Sequence, residues 1–226
     1  MARFAGTVKA AKDLTARALT VQRSVLGPEH PDTLASMANL GLRLCETGQH
    51  QAAVDTTRQA LEAQQRVLGP DNPDTLNSMA NLSIQLAELG KDEEAADVGQ
   101  QVVNAQQRVL GPEHPDTLDS IFNLSCRLAN LRQFEAAVSV AQPLLEAPQR
   151  VLGPAHPHAL NNMVNLRSML GELGQREAAL DITKQMLIAG QQGLGPEHHA
   201  QNRARGDAPP AVAVPCQRPQ HAVPAS

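Results

Sequence analysis

Tryptophan and tyrosine are missing from this 226-residue chain, and phenylalanine occurs only three times. Rings normally carry much of a buried core, so aliphatic and small side chains must fill it here. The three cysteines, Cys45, Cys126 and Cys216, are far apart and without metal-ligand spacing. They indicate neither a disulfide framework nor a zinc site, and fit a reducing, cytoplasmic setting. No apolar run reaches membrane-spanning length and no secretory h-region opens the chain, so a soluble protein without membrane attachment is expected. With 19 Lys and Arg against 23 Asp and Glu, the charge balance argues against nucleic acid as a partner. No phosphate loop, HExxH or GxSxG pattern occurs, and no enzyme, metal or cofactor is expected.

What is present is a repeat. VLGPEHPDTL begins at Val25, VLGPDNPDTL at Val67, VLGPEHPDTL at Val109 and VLGPAHPHAL at Val151, in steps of 42 residues, and a decayed copy begins at Gly193. In each unit Leu-Gly-Pro reads as a helix stop, because Gly69 tolerates a left-handed conformation and Pro70 cannot continue a helix. The next helix starts almost at once. Pro73 suits its first turn and Asp74 complements the positive end of its dipole. Pro31 with Asp32 and Pro115 with Asp116 repeat the device, while His158 replaces the acid after Pro157. The linker histidines His30, His114, His156 and His198 share the period, which assigns them to helix starts rather than to metal. Arg66, Arg108 and Arg150 close successive helices, where a cation favours the dipole.

Apolar residues then recur at helical spacing, as in Leu34, Met37, Leu40 and Leu44, and in Leu76, Met79, Leu82 and Leu86. This is helix A, ending near Gly48, Gly90 and Gly174. An amphipathic helix B follows, with Ala52, Ala53, Ala60 and Leu61 on one side. Before Asp13 the chain carries Arg3, Lys9 and Lys12 and no acid, which would suit a mitochondrial transit peptide. The repeat explains it better, since Ala10, Ala11, Ala18 and Leu19 fall in register with Ala52, Ala53, Ala60 and Leu61. The chain therefore opens on a helix B.

The triplets Asn39-Leu40-Gly41, Asn81-Leu82-Ser83 and Asn123-Leu124-Ser125, the turn residues Gly48 and Gly90, the pair Ala52-Ala53 and the VLGPEHPDTL linker together resemble tetratricopeptide repeats of the 42-residue kind found in kinesin light chains. The resemblance covers about residues 5 to 198. It implies an all-α fold, an α-solenoid of antiparallel helix pairs in a right-handed superhelix. The organisation expected is a solenoid over residues 1–198, with a half repeat at 1–27 and repeats at 28–69, 70–111, 112–153 and 154–195. A disordered Ala/Pro-rich tail over 199–226 is expected to follow, because that stretch has no Leu, Ile, Met or Phe.

Such stacks present a long concave groove. Opposite its leucines, helix A carries a polar stripe: Ala35, Asn39, Arg43 and Glu46, then Asn77, Asn81, Gln85 and Glu88, then Asp119, Asn123, Arg127 and Asn130. In the fourth unit it becomes Asn161, Asn165, Ser168 and Glu172. Asn39, Asn81, Asn123 and Asn165 thus form a ladder, and Asn can both donate to and accept from a peptide backbone. The resemblance to kinesin light chains implies that these Asn line a cargo groove. Leu42, Ile84, Phe122 and Cys126 flank the ladder as apolar pockets, and Arg43 and Arg127 can pair with acidic partner residues.

The function expected is a non-catalytic scaffold binding a protein or an extended peptide. The alternatives are a sensor fragment of a larger signalling protein such as a regulatory ATPase, or a truncated array without its own ligand. Register is lost after His198, where Pro-Asp-Thr-Leu is due, as a truncation or frameshift would produce. Uncapped ends, with Met186, Leu187 and Ile188 uncovered, would then favour self-association. Arg167 replaces the small residue of helix A and is expected to splay the fourth pair or to reach solvent. Met37, Met79, Ile121 and Met163 occupy one customary ring site, Leu44, Leu86, Leu128 and Leu170 another, and Thr57, Gly99, Ala141 and Thr183 a third. Looser packing and marginal stability follow from that substitution.

Overall fold

A computed structural model describes residues 2–145 and 157–193. Among the described residues all regular structure is helical, with a further helical stretch at 143–145 in addition to nine helices. They are α1 (Ala2–Val25), α2 (Pro31–Glu46), α3 (His50–Val67), α4 (Pro73–Glu88), α5 (Asp92–Val109), α6 (Pro115–Asn130), α7 (Phe134–Ala141), α8 (Pro157–Glu172) and α9 (Arg176–Gly193). The even-numbered helices are the A helices. The chain divides into two compact units, residues 1–120 and 121–226, with the boundary inside α6. The expected tail, His156, His198 and Arg150 lie outside the described residues.

Helix starts follow local chemistry. His30 and Asn72 cap α2 and α4 by accepting the amide hydrogens of Asp32 and Asp74, at 3.2 and 2.9 Å, with Pro at the first helical position in both. His114 does the same for Asp116 at 3.2 Å. These bonds satisfy amides that the first helical turn leaves without partners, each cap contributing about 1 kcal/mol. At the other end Gly69 takes φ 92° past α3, and Gly48 and Gly90 take φ 76° and 80° past α2 and α4. The third pair holds Arg132 at φ 60° where its neighbours have glycine, and its guanidinium lies 5.3 Å from the Phe134 ring centre.

In the first unit each A helix lies between the B helix before it and its own. Leu19 of α1, Leu34, Met37 and Ala38 of α2, and Ala60 of α3 form one core cluster. Val54 and Leu61 of α3, Met79, Leu82 and Leu86 of α4, and Ala95 and Val102 of α5 form the next. No ring belongs to either cluster. Each buried Leu, Val or Met contributes about 1.5–3 kcal/mol, and neighbouring pairs hold each other through such contacts. The exposed arginines that close α3 and α5 also reach back to the linkers that open their pairs, Arg66 to Glu29 and Arg108 to Asp71. Their place at a helix end is thus only part of their role, although exposed pairs contribute little, about 0–1 kcal/mol.

The second unit is built from the last part of α6 with α7, α8 and α9. Leu124 and Ile121 of α6, Ala137 and Ala141 of α7, and Met163, Leu166, Met169 and Leu170 of α8 are buried. Regular helix in α7 stops at Ala141 and resumes at Pro143, whereas α3 and α5 run unbroken for 18 residues. Proline has no amide hydrogen to give to residue 139, which interrupts the ladder there.

Candidate functional site on the A helices

The position after the Asn ladder sets how closely A and B approach. Gly41 is buried, and a Cβ there would stand 2.1 Å from Thr57 Oγ1 and 3.4 Å from both the Ala53 carbonyl oxygen and Gln85 Nε2. In the next pair the volumes are exchanged: Ser83 stands on the A helix and Gly99 on the B helix, and Ser83 Oγ donates to the Ala95 carbonyl at 2.8 Å. Ser125 instead bonds its own helix at Phe122, 2.8 Å away. Close packing on this side leaves the opposite side of helix A for contact with other molecules.

On that side the ladder is uneven. Asn39 on α2 is exposed, Asn81 on α4 and Asn123 on α6 are half-buried, and Asn165 on α8 is buried. Asn165 donates through Nδ2 to Cys126 Sγ at 3.6 Å, so its amide serves the interior of the second unit. Gln85 is likewise fully buried. The missing side chain of Gly41 admits its amide between α2 and α4, and Gln85 therefore offers nothing to a ligand. Met169, buried at the same position of α8, shows that this position turns inward in more than one pair.

Arg43 is half-buried, and its Nη1 donates to both carboxylate oxygens of Glu46 at 2.7 Å. Its charge is thus already met along the helix. Arg127 and Phe122 are half-buried, Leu42 is half-buried, and Ile84 is 39% exposed. In the first unit, where α2 and α4 touch, the surface combines Asn39, Asn81, Leu42 and Ile84: two amides with an apolar flank. Such a surface can hydrogen-bond a backbone and bury side chains but holds no acid–base pair poised for chemistry. Cys45, behind it on α2, sits 3.7 Å from His50 Nδ1. Burial first, then the charges of Glu88 and Glu46, push its thiol above the ordinary range, which opposes a nucleophilic role.

Sequence reasoning missed a second polar series. Gln64 and Gln106 near the ends of α3 and α5 are about 1% exposed, and their side-chain Oε1 atoms, like that of Gln22, are buried with no hydrogen-bond partner. The threonine of the Pro-Asp-Thr-Leu motif is also buried, and Thr117 Oγ1 donates to the Gly111 carbonyl at 2.9 Å. Their recurrence every 42 residues was visible, but a polar residue on a helix gives no sign that it is sealed inside.

A tetratricopeptide repeat family profile matches residues 1–65 and 44–108, and a second profile of the same description matches residues 117–158. Among solved structures, a kinesin light chain with nearly identical TPR-like repeats from Podosopora anserina is 27% identical, at a TM-score of 0.74 over 84% of this chain and 90% of that one. BtubC from P. vanneervenii, at 18% identity, has a TM-score of 0.76 over 84% of this chain and 76% of its own. YrrB, described as a TPR protein with an unusual peptide-binding site, is 18% identical at a TM-score of 0.55 over 91% and 90%. No curated protein sequence matches significantly.

Proposed function

Because this chain belongs to the tetratricopeptide repeat family, we propose that it is a non-catalytic scaffold that holds an extended protein segment against its A helices. The observation that carries this reading is the pair of asparagines, Asn39 exposed and Asn81 half-buried, one on each of two touching A helices and accompanied by Leu42 and Ile84. An amide on each successive repeat suits a backbone, and the apolar flank suits alternate side chains. Asn123 and Phe122 offer the same chemistry on the second unit. A peptide is also the ligand class named for the fold relative YrrB. Arg43 and Arg127 are the cations of this face, and Arg43 would exchange Glu46 for an acidic group of the ligand. Among the described residues no helix is long and apolar enough to cross a membrane, and a cytoplasmic setting belongs to the same reading.

Selection of a random peptide library on the immobilised full chain tests it. Enrichment on the native protein that disappears on the Asn39→Ala, Asn81→Ala double variant, with an unchanged circular dichroism spectrum, is the expected result. Equal enrichment of the same peptides on both forms refutes the amide reading.

A further inference from the structure

The fourth helix pair has a cleft that the first pair fills. Between α8 and α9 lies an opening of about 540 Å³ lined by Arg167, Ser168, Glu172, Ala179, Leu180 and Thr183, among others. Shifted back by three repeats, Arg167, Ala179, Leu180 and Thr183 correspond to Gly41, Ala53, Val54 and Thr57. In the first pair all four of those residues are buried, with Ala53, Val54 and Thr57 at 0% exposure. What covers them is α4: Val54 and Leu61 grip its Met79, Leu82 and Leu86, and Gln85 reaches Gly41. Leu180 and Leu187, the counterparts of Val54 and Leu61, are 59% and 64% exposed, and Ile188 beside them is 53% exposed.

We propose that the cleft between α8 and α9 is a docking slot for an amphipathic helix supplied by another protein, a helix with the chemistry of α4. Its occupant presents apolar side chains at the spacing of Met79, Leu82 and Leu86. The equivalent interface inside this chain specifies that geometry. Charge adds to the selection, because α4 contains Asp74 and Glu88 but no Lys or Arg, while Arg167 and Arg176 stand on the rim of the slot. A helix free of cations meets no repulsion from these two arginines, and Glu172, which also lines the slot, disfavours an acidic residue set against it. The slot is separate from the Asn39 and Asn81 surface and does not depend on the peptide reading.

The test uses the full chain and a fluorescein-labelled peptide with the sequence of residues 73–88, followed by fluorescence anisotropy. A longer peptide spanning residues 70–109, which carries α5 to support the helix, serves as the second probe. Saturable binding of either probe, weakened at least tenfold by Leu180→Asp in the protein and at least tenfold by Met79→Asp with Leu82→Asp in the peptide, is expected. The Asn39→Ala, Asn81→Ala protein should bind both probes as the native chain does. Leu180 is exposed, so its variant should retain the native helical spectrum. Failure of both probes to bind overturns the proposal, as does binding that Leu180→Asp leaves unchanged, which would mean insertion elsewhere in the array. A concentration-dependent dimer of the chain alone, dissolved by Leu180→Asp but not displaced by the probes, also overturns it and makes a second copy the occupant.

Discussion

In the first helix pair Gly41 leaves a notch that Thr57 fills, and α4 then closes over both; in the fourth pair Arg167 and Thr183 hold the same positions and stay exposed beside an open cleft. One site thus produces a sealed junction in one place and an accessible one in another. The volumes explain part of the difference. Where even a Cβ opposite Thr57 would lie 2.1 Å from its hydroxyl, an arginine opposite a threonine can be accommodated only by turning outward. The other part is the neighbour. Val54 is buried because α4 lies on it, and Leu180 is exposed because no described helix does.

The sharpest way to break this contrast is to place a carboxylate at the two equivalent apolar positions. Val54→Asp puts a charge among Met79, Leu82 and Leu86 and should cost more than about 4 kcal/mol, enough to unfold the first unit. Leu180→Asp should change stability by less than about 0.5 kcal/mol, since its side chain already meets water. Urea titration followed by circular dichroism reads both. Equal losses would mean that the two positions share one environment.

Exchanging volume across the notch is the next largest effect. Gly41→Ser alone overpacks the α2–α3 contact and should cost about 1–3 kcal/mol. Combined with Thr57→Gly it recreates the Ser83 and Gly99 arrangement, and the double variant should recover most of that loss. A double-mutant cycle on urea midpoints measures the coupling, and simple additivity would show that the two side chains do not compete for one space.

Ser83→Ala removes the hydroxyl that joins α4 to α5 and should cost about 1 kcal/mol. Ser125→Ala should cost less, because Ser125 bonds only within α6. Thermal melts of the two variants rank them. The smallest effect concerns Cys45, the counterpart of Gly171 beside the open cleft. Its thiol is raised by burial and by Glu88 of the covering helix. At pH 8 less of it is thiolate than in a free cysteine, so iodoacetamide should modify it more slowly than a model thiol. Glu88→Gln should speed the reaction by removing one negative charge, and mass spectrometry of the alkylated peptide reports it.

The predicted looser core bears on these measurements. Phe122 and Phe134 are half-buried, and the two clusters of the first unit contain no ring. Their stability rests on many aliphatic contacts between adjacent helices, so each variant should act mainly on its own junction and its immediate neighbours.

Much of the architecture was legible in the residues because it is written locally. Pro31 and Asp32, Gly69, the 42-residue step and the leucine spacing mark starts, stops and faces within a few residues of where they act. The candidate site was legible only in part. Asn39 and Gln85 look alike as polar members of one stripe, yet the first is exposed and the second sealed, because Gly41 in the preceding repeat makes room for the amide. Asn165 repeats Asn39 in sequence but is buried, and its amide donates to Cys126 of α6.

By itself the sequence determined the helices, their order and their pairing, since caps, glycine turns and helical periodicity act over one or two turns. Only the tertiary structure decided which polar groups reach solvent and which apolar ones lack cover. Burial at any position depends on side chains contributed by another helix pair, and no periodicity within one repeat records how much space that neighbour leaves.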